Sequence, residues 1–213
     1  MHLLRVEEGG ALYDSDEAVD LGQPPGDIVI LTSADTEVSL LSAAVAAFQC
    51  DGDEVRTDAP RVRVANYLSL SHPFSVDRYI ANTVAGARLV VVRLLGGSAY
   101  WSYGVQQLRA QAVSGGVPVV FLPGDARPDP ELDYLSSFDT EVCRSLSAYL
   151  DAGGKDNALA FLHAISDLLD GTAMAAPPRP LLRAGIYWPG RDMPDLASLS
   201  GDWIARAPVA AIL

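Results

Sequence analysis

The stretch from Ala87 to Leu108, ARLVVVRLLGGSAYWSYGVQQL, decides the fold. Leu89 to Leu95 is apolar apart from Arg93 and does not alternate, which suits a strand buried on both faces of a parallel sheet. The glycine pair Gly96 and Gly97 then allows a tight turn where the strand leaves the sheet. Ser98 is placed to cap the following helix, whose first turns carry Tyr100, Trp101 and Tyr103. In an open parallel sheet, the carboxyl ends of the strands face helix N-termini and form the crevice where ligands bind. Three aromatics at that edge predict either a stacking surface for a flat ligand or a docking surface for another domain.

The rest of the chain repeats the pattern. Asp27 to Thr32 (DIVILT) predicts a strand, with Ser33 and Asp35 as caps for a helix through Phe48. Gly52 to Pro60 is polar and acidic and reads as a surface loop. Arg61 to Leu70 alternates at its start, as a strand nearer an edge does. His72-Pro73 marks a break, and Ser75 is the expected cap of a helix to about Ala85. Gly115-Gly116 closes the aromatic-headed helix, and Val117 to Leu122 predicts a further short buried strand. Strands alternating with helices argue for right-handed crossovers and a flavodoxin-like, doubly wound parallel α/β sheet. The handedness rule places its four core strands in the order second, first, third, fourth. Leu3 to Val6 is a candidate edge strand.

Beyond Pro123-Gly124-Asp125 the pattern changes. Pro128 and Pro130 predict a rigid loop, followed by helices over Thr140 to Leu150 and Asn157 to Leu169. Ala173 to Pro180 reads as a linker, and Ala184 to Gly190 (AGIYWPG) as a short strand and turn. Pro208 to Leu213 (PVAAIL) has the composition of a buried first strand, expected to be loosely held or paired with a neighbouring molecule. The expected division is a head domain with a helical extension over 1–172, then a linker and the stub of a next domain over 173–213.

Composition excludes several functions. Of 213 residues, 27 are acidic and 15 basic, a net charge of -12 with no basic stripe to meet phosphates, so no nucleic-acid partner is expected. No apolar run is long enough to cross a bilayer and the opening MHLLRVEEGG is not a signal peptide, so no membrane partner and a cytoplasmic location are expected. Cys50 and Cys143 lie far apart without metal-ligand spacing, and His2, His72 and His163 are scattered. Gly22 to Gly26 (GQPPG) lacks the Lys-Ser/Thr of a phosphate loop and precedes its strand, so no ATP signature is present. No catalytic residue, metal ligand or cofactor of the chain itself is expected.

The candidates for ligand binding or domain docking are therefore Arg93, Gly96, Gly97, Tyr100, Trp101 and Tyr103. A guanidinium near the end of a buried strand needs a partner: Asp35, Asp125 or a ligand carboxylate. Asp125, Asp129 and Glu131, with Arg127 among them, form either a cation site or a solvated loop. Among the aromatics, Tyr100 and Tyr103 share a helix face, Trp101 points elsewhere, and core packing accounts for at least one of the three.

Several segments, in order, resemble the N-terminal region of the large subunit of aerobic cobaltochelatase. They are Met1 to Leu4, Ala18 to Val29 (AVDLGQPPGDIV), His72 to Tyr79 (HPFSVDRY), Arg93 to Gly104 (RLLGGSAYWSYG), Leu122 to Pro130 (LPGDARPDP) and Ala184 to Gly190. The magnesium chelatase H subunit is similar in outline. The resemblance implies the head of a tetrapyrrole- and metal-binding subunit, in a complex that inserts Co2+ into hydrogenobyrinic acid a,c-diamide during cobalamin biosynthesis. It implies ATP, with Mg2+, hydrolysed on two AAA+-type partner subunits, and a chelation centre in the remainder of the large subunit. The alternative is an independent flavodoxin-like module that binds a flavin, a nucleotide or another protein.

Overall fold

The computed structural model describes residues 18–51, 54–56, 59–172, 177–179, 186, 188, 190–191 and 195–201. The expected strand at Leu3 to Val6, most of AGIYWPG and the terminal PVAAIL lie outside them. Two compact units are present, residues 1–179 and 180–213.

In the first unit, β1 (Ile28–Thr32) leads to α1 (Asp35–Phe48). β2 (Cys50–Asp51) and β3 (Glu54–Val55) pair antiparallel, so the expected acidic loop contains a two-stranded ribbon. β4 (Val62–Asn66) follows, then a 3-10 turn, Tyr67–Leu70, and α2 (Pro73–Tyr79), which runs into a π-helical turn, Ile80–Val84. β5 (Leu89–Leu94), a 3-10 turn Ser98–Trp101, α3 (Ser102–Gly115) and β6 (Val119–Pro123) complete the sheet. α4 (Pro130–Leu135), α5 (Thr140–Ala152) and α6 (Lys155–Leu169) extend it. The second unit contains α7 (Leu196–Ser200) and a bridge between Trp188 and Arg191.

The sheet runs β4-β1-β5-β6, all parallel, which is the flavodoxin-like order expected from the handedness of the crossovers. Its central strands β1 and β5 are buried at every position. Ile28, Ile30, Leu89 and Val91 face a core built with α1, α5 and α6. Val29, Leu31, Val90 and Val92 face a second core that includes Val76, Val105 and Leu132 of α2, α3 and α4. Two covered faces require two apolar faces, and this is why the strand sequences do not alternate.

Both sheet edges are closed by side chains. On β4, the Gln23 amide donates to the Val64 carbonyl at 2.9 Å and Arg63 to the Val62 carbonyl at 2.9 Å. On β6, Ser137 Oγ accepts from Val119 N at 3.0 Å and Ser136 Oγ from Phe121 N at 2.9 Å, while Ser137 N donates to Val119 O at 2.7 Å. An open edge is a template for another strand, and these bonds occupy it. The GQPPG segment is therefore a structural strap: Gln23 also accepts from the buried Tyr79 hydroxyl, and Arg63 holds the Pro24 and Pro25 carbonyls.

Several expected caps are corrected. The residue before α1 is Ala34, which makes no side-chain cap; Asp35 is the first helical residue and accepts from Asn66 Nδ2 at 2.7 Å. α2 is capped by His72, whose Nδ1 accepts from Phe74 N, with Pro73 already at the first helical position. Ser75 is buried inside that turn and accepts from Val19 N at 2.8 Å. Ser98 is inside a 3-10 turn and donates to Glu131 at 2.7 Å, so it caps nothing. The loop expected around Pro130 contains α4, capped by Asp129 through Glu131 N and Leu132 N. Asp-Pro-Glu is itself a helix-start signal: a cap, a proline and an acid in the first turn.

Candidate functional site

The carboxyl edge of the sheet is shaped by close backbone approach. Gly96 and Gly97 have φ of 88° and 81°, a region that disfavours side chains. The Tyr100 ring lies directly over Gly96, with a carbon 2.5 Å from where a Cβ would stand. Gly124, at the end of β6, faces the Leu95 backbone, and its Cβ would fall 2.6 Å from Leu95 Cα. These glycines floor a crevice of about 320 Å3, with Pro123, Arg127 and Pro128 among its walls. This is the place where a parallel sheet offers a ligand site.

The three aromatics separate. Trp101 is 7% exposed and stacks on Tyr67, their ring centroids 5.1 Å apart. Its indole N–H donates to the Leu70 carbonyl at 2.9 Å, and its ring lies over Gly104, three residues on. Trp101 is thus a core residue, the aromatic of the three that core packing accounts for. The Tyr103 hydroxyl donates to Asp77 at 2.9 Å, tying α3 to α2, and that bond raises its pKa. Tyr100 alone projects, 66% exposed, beside Leu95 at 49%.

Arg93 is 9% exposed and fully engaged. Its guanidinium pairs with Glu37 of α1, with Asp151 of α5 at 2.8 Å and with the Pro123 carbonyl at 3.2 Å. Thr32 donates to Glu37, and Ser147 to Asp151 at 3.2 Å. Burial raises the Asp151 pKa, and the Arg93 charge opposes that rise. Of the expected partners, Asp35 is on Asn66 and Asp125 is on Arg127, whose bonds hold the Asp125 carboxyl low. The internal ion pair foreseen for Arg93 is present, with different carboxylates. Their signal was a helix-register one: Glu37 lies in the first turn of α1 and Asp151 in the last turn of α5.

A smaller cavity of about 100 Å3 adjoins this network, lined by Asp151, Ser147, Cys143, Arg144 and Asp133 among others. Burial pushes the Cys143 thiol up, which keeps it in the unreactive form. Among the described residues, no three His, Cys, Asp or Glu side chains are grouped to hold a metal ion, and no helix is long and apolar enough to cross a membrane.

No protein-family model matches the chain. The aerobic cobaltochelatase subunit CobN of a Sinorhizobium species is 42% identical over 190 residues, which cover 89% of this chain and 14% of the relative. Its counterpart from Pseudomonas aeruginosa is 36% identical over 214 residues, covering 100% of this chain and 16% of the relative. The chain is homologous to the N-terminal region of CobN. The chain spans only about a seventh of the length of the curated relatives it matches. The catalytic subunit of cobaltochelatase from Mycobacterium tuberculosis has the same fold over 78% of this chain and 12% of its own, with a TM-score of 0.57 and 24% identity. The carboxyl-edge crevice is thus conventional in place, yet two of its expected ligand groups, Arg93 and Trp101, are turned inward.

Proposed function

We propose that this chain is the non-catalytic head of the large subunit of an ATP-dependent cobaltochelatase, acting in the cytoplasm. The complex inserts Co2+ into hydrogenobyrinic acid a,c-diamide on the way to cobalamin, a ligase reaction that forms metal–nitrogen bonds. ATP, with Mg2+, is hydrolysed on two AAA+-type partner subunits, and the chelation centre lies in the remainder of the large subunit. The head supports tetrapyrrole binding as an interaction platform and does not stack on the macrocycle.

One observation carries the choice of platform over lid. Trp101 and Arg93, the groups best suited to grip a flat polycarboxylate, are already committed inside the fold, to Tyr67 and Leu70 and to Glu37 and Asp151. Pulling either out would unpair buried groups, at a cost larger than the ~1 kcal/mol that one aromatic stack returns. Homology with CobN favours this reading over an independent flavin- or nucleotide-binding module.

Titration with hydrogenobyrinic acid a,c-diamide, followed by tryptophan fluorescence, tests it. The chain alone is expected to show no binding, while the full-length large subunit binds. Binding by the chain alone that weakens on Tyr100→Ala would establish the lid. Cobalt insertion by the chain mixed with the two AAA+ partners would overturn the non-catalytic assignment.

A further inference from the structure

The fold leaves one apolar surface at the carboxyl edge that it does not use itself. Leu95 and Tyr100 are exposed beside the crevice floored by Gly96, Gly97 and Gly124. Their exposure is built in. Tyr100 rests on Gly96, and Leu95 is held by Gly124 against its backbone and by a bond from its N–H to the buried Tyr67 hydroxyl at 3.4 Å. The crevice walls combine the apolar side chains of Leu94, Pro123 and Pro128 with glycine backbone.

We propose that this edge is the docking surface for the part of the large subunit outside this chain, which inserts an apolar side chain into the crevice beside Leu95 and Tyr100. The inference rests on the platform reading above and specifies its surface. Size selects the occupant. With aromatic side chains burying 150–250 Å2 each in full, the exposed pair and crevice offer on the order of 200–300 Å2, whereas a free-standing complex needs about 800 Å2 per partner. A second copy, or a separately diffusing subunit, gains too little from so small a patch. A segment of the same polypeptide is held at about millimolar effective concentration and needs far less. The relatives supply such a segment, because the chain matches only 14% and 16% of their length. In the lining of the same crevice Asp125 and Asp129 outnumber Arg127, which is paired with Asp125, and this disfavours a carboxylate-bearing ligand there.

Hydrogen exchange in the chain alone and in the full-length large subunit, both without macrocycle, tests the proposal. Amides of residues 95–100 should exchange at least about tenfold more slowly in the full-length protein than in the chain. In the full-length protein, Tyr100→Ser and Leu95→Ser should restore fast exchange; Val113→Ser, at the far end of α3 and 84% exposed, should not. Equal exchange in chain and full-length subunit overturns the proposal, as does restoration by Val113→Ser. Protection in the chain alone, together with dimeric sedimentation, assigns the surface to a second copy; protection that needs the AAA+ subunits assigns it to them. Either outcome also overturns it. Because no macrocycle is present, these results are independent of the titration that tests the platform reading.

Discussion

Replacing Arg93 with Met tests the account of the sheet's carboxyl edge most directly. The substitution keeps a long apolar stem but removes the guanidinium that pairs with both Glu37 and Asp151, whose side chains are 16% and 26% exposed. Breaking a buried ion pair by removing one partner costs about 3–5 kcal/mol. Here water still reaches part of both carboxylates and screens them, so a loss of about 2–4 kcal/mol is expected. With a urea dependence near 2 kcal/mol per molar, the unfolding midpoint should fall by about 1–2 M, read by circular dichroism. The loss should also depend on pH, with a defined sign. Asp151 already sits above its ordinary range because of burial, and Arg93 is what holds it down. Without Arg93 its folded pKa rises further above the unfolded value. The penalty is then absent at low pH, where the carboxyl is protonated in both states, and develops as pH rises through the folded pKa. The difference between variant and parent should therefore be greater at pH 7.5 than at pH 5. A loss below about 1 kcal/mol, or one equal at both pH values, would refute the claim that Arg93 neutralises the two partly exposed carboxylates beside it.

Trp101→Ala removes the stack on Tyr67 and unpairs the Leu70 carbonyl, so a loss of about 3–5 kcal/mol in urea unfolding is expected. A change below 1 kcal/mol would show that the indole is not a core group. Gly124→Ala places a methyl against the Leu95 backbone and should cost about 1–3 kcal/mol by the same assay, whereas a neutral outcome would mean that β5 and β6 separate easily at their ends. The Asp27 carboxyl, gripped by Arg61, is lowered from 3.8 to about 2. Its contribution is present above pH 4 and lost as pH falls through about 2, so Asp27→Asn should flatten that part of the acid-unfolding curve. Ser136→Ala with Ser137→Ala opens the β6 edge at Val119 and Phe121 and should cost about 1 kcal/mol per lost bond, with increased self-association by light scattering.

Much of this architecture was legible in the linear chain, because the deciding signals are local. Leu89 to Leu94 and Ile28 to Thr32 are apolar on both faces, and only a strand sandwiched between helical layers satisfies that. Once four such strands alternate with helices, the handedness of the crossovers leaves few orders open, and β4-β1-β5-β6 is the one found. Segments such as HPFSVDRY and RLLGGSAYWSYG were likewise enough to point to the family. Glu37, Asp151 and Tyr67 were another matter. Glu37 and Asp151 stand 56 and 58 positions from Arg93, and nothing near Arg93 favours them over Asp35 or Asp125. That choice depends on how α1 and α5 rotate as they pack on the sheet, and on the right turn of each facing the end of β5. The same holds for which of the three aromatics is buried: a 3-10 turn replaces the first α-helical one, and the Trp101 indole stacks on Tyr67. Chain-local chemistry determined the strands, the turns and their order. Only the packed layers decided which polar and aromatic groups were left for a partner, because burial is a property of what lies across the interface, and the linear sequence does not carry that distance.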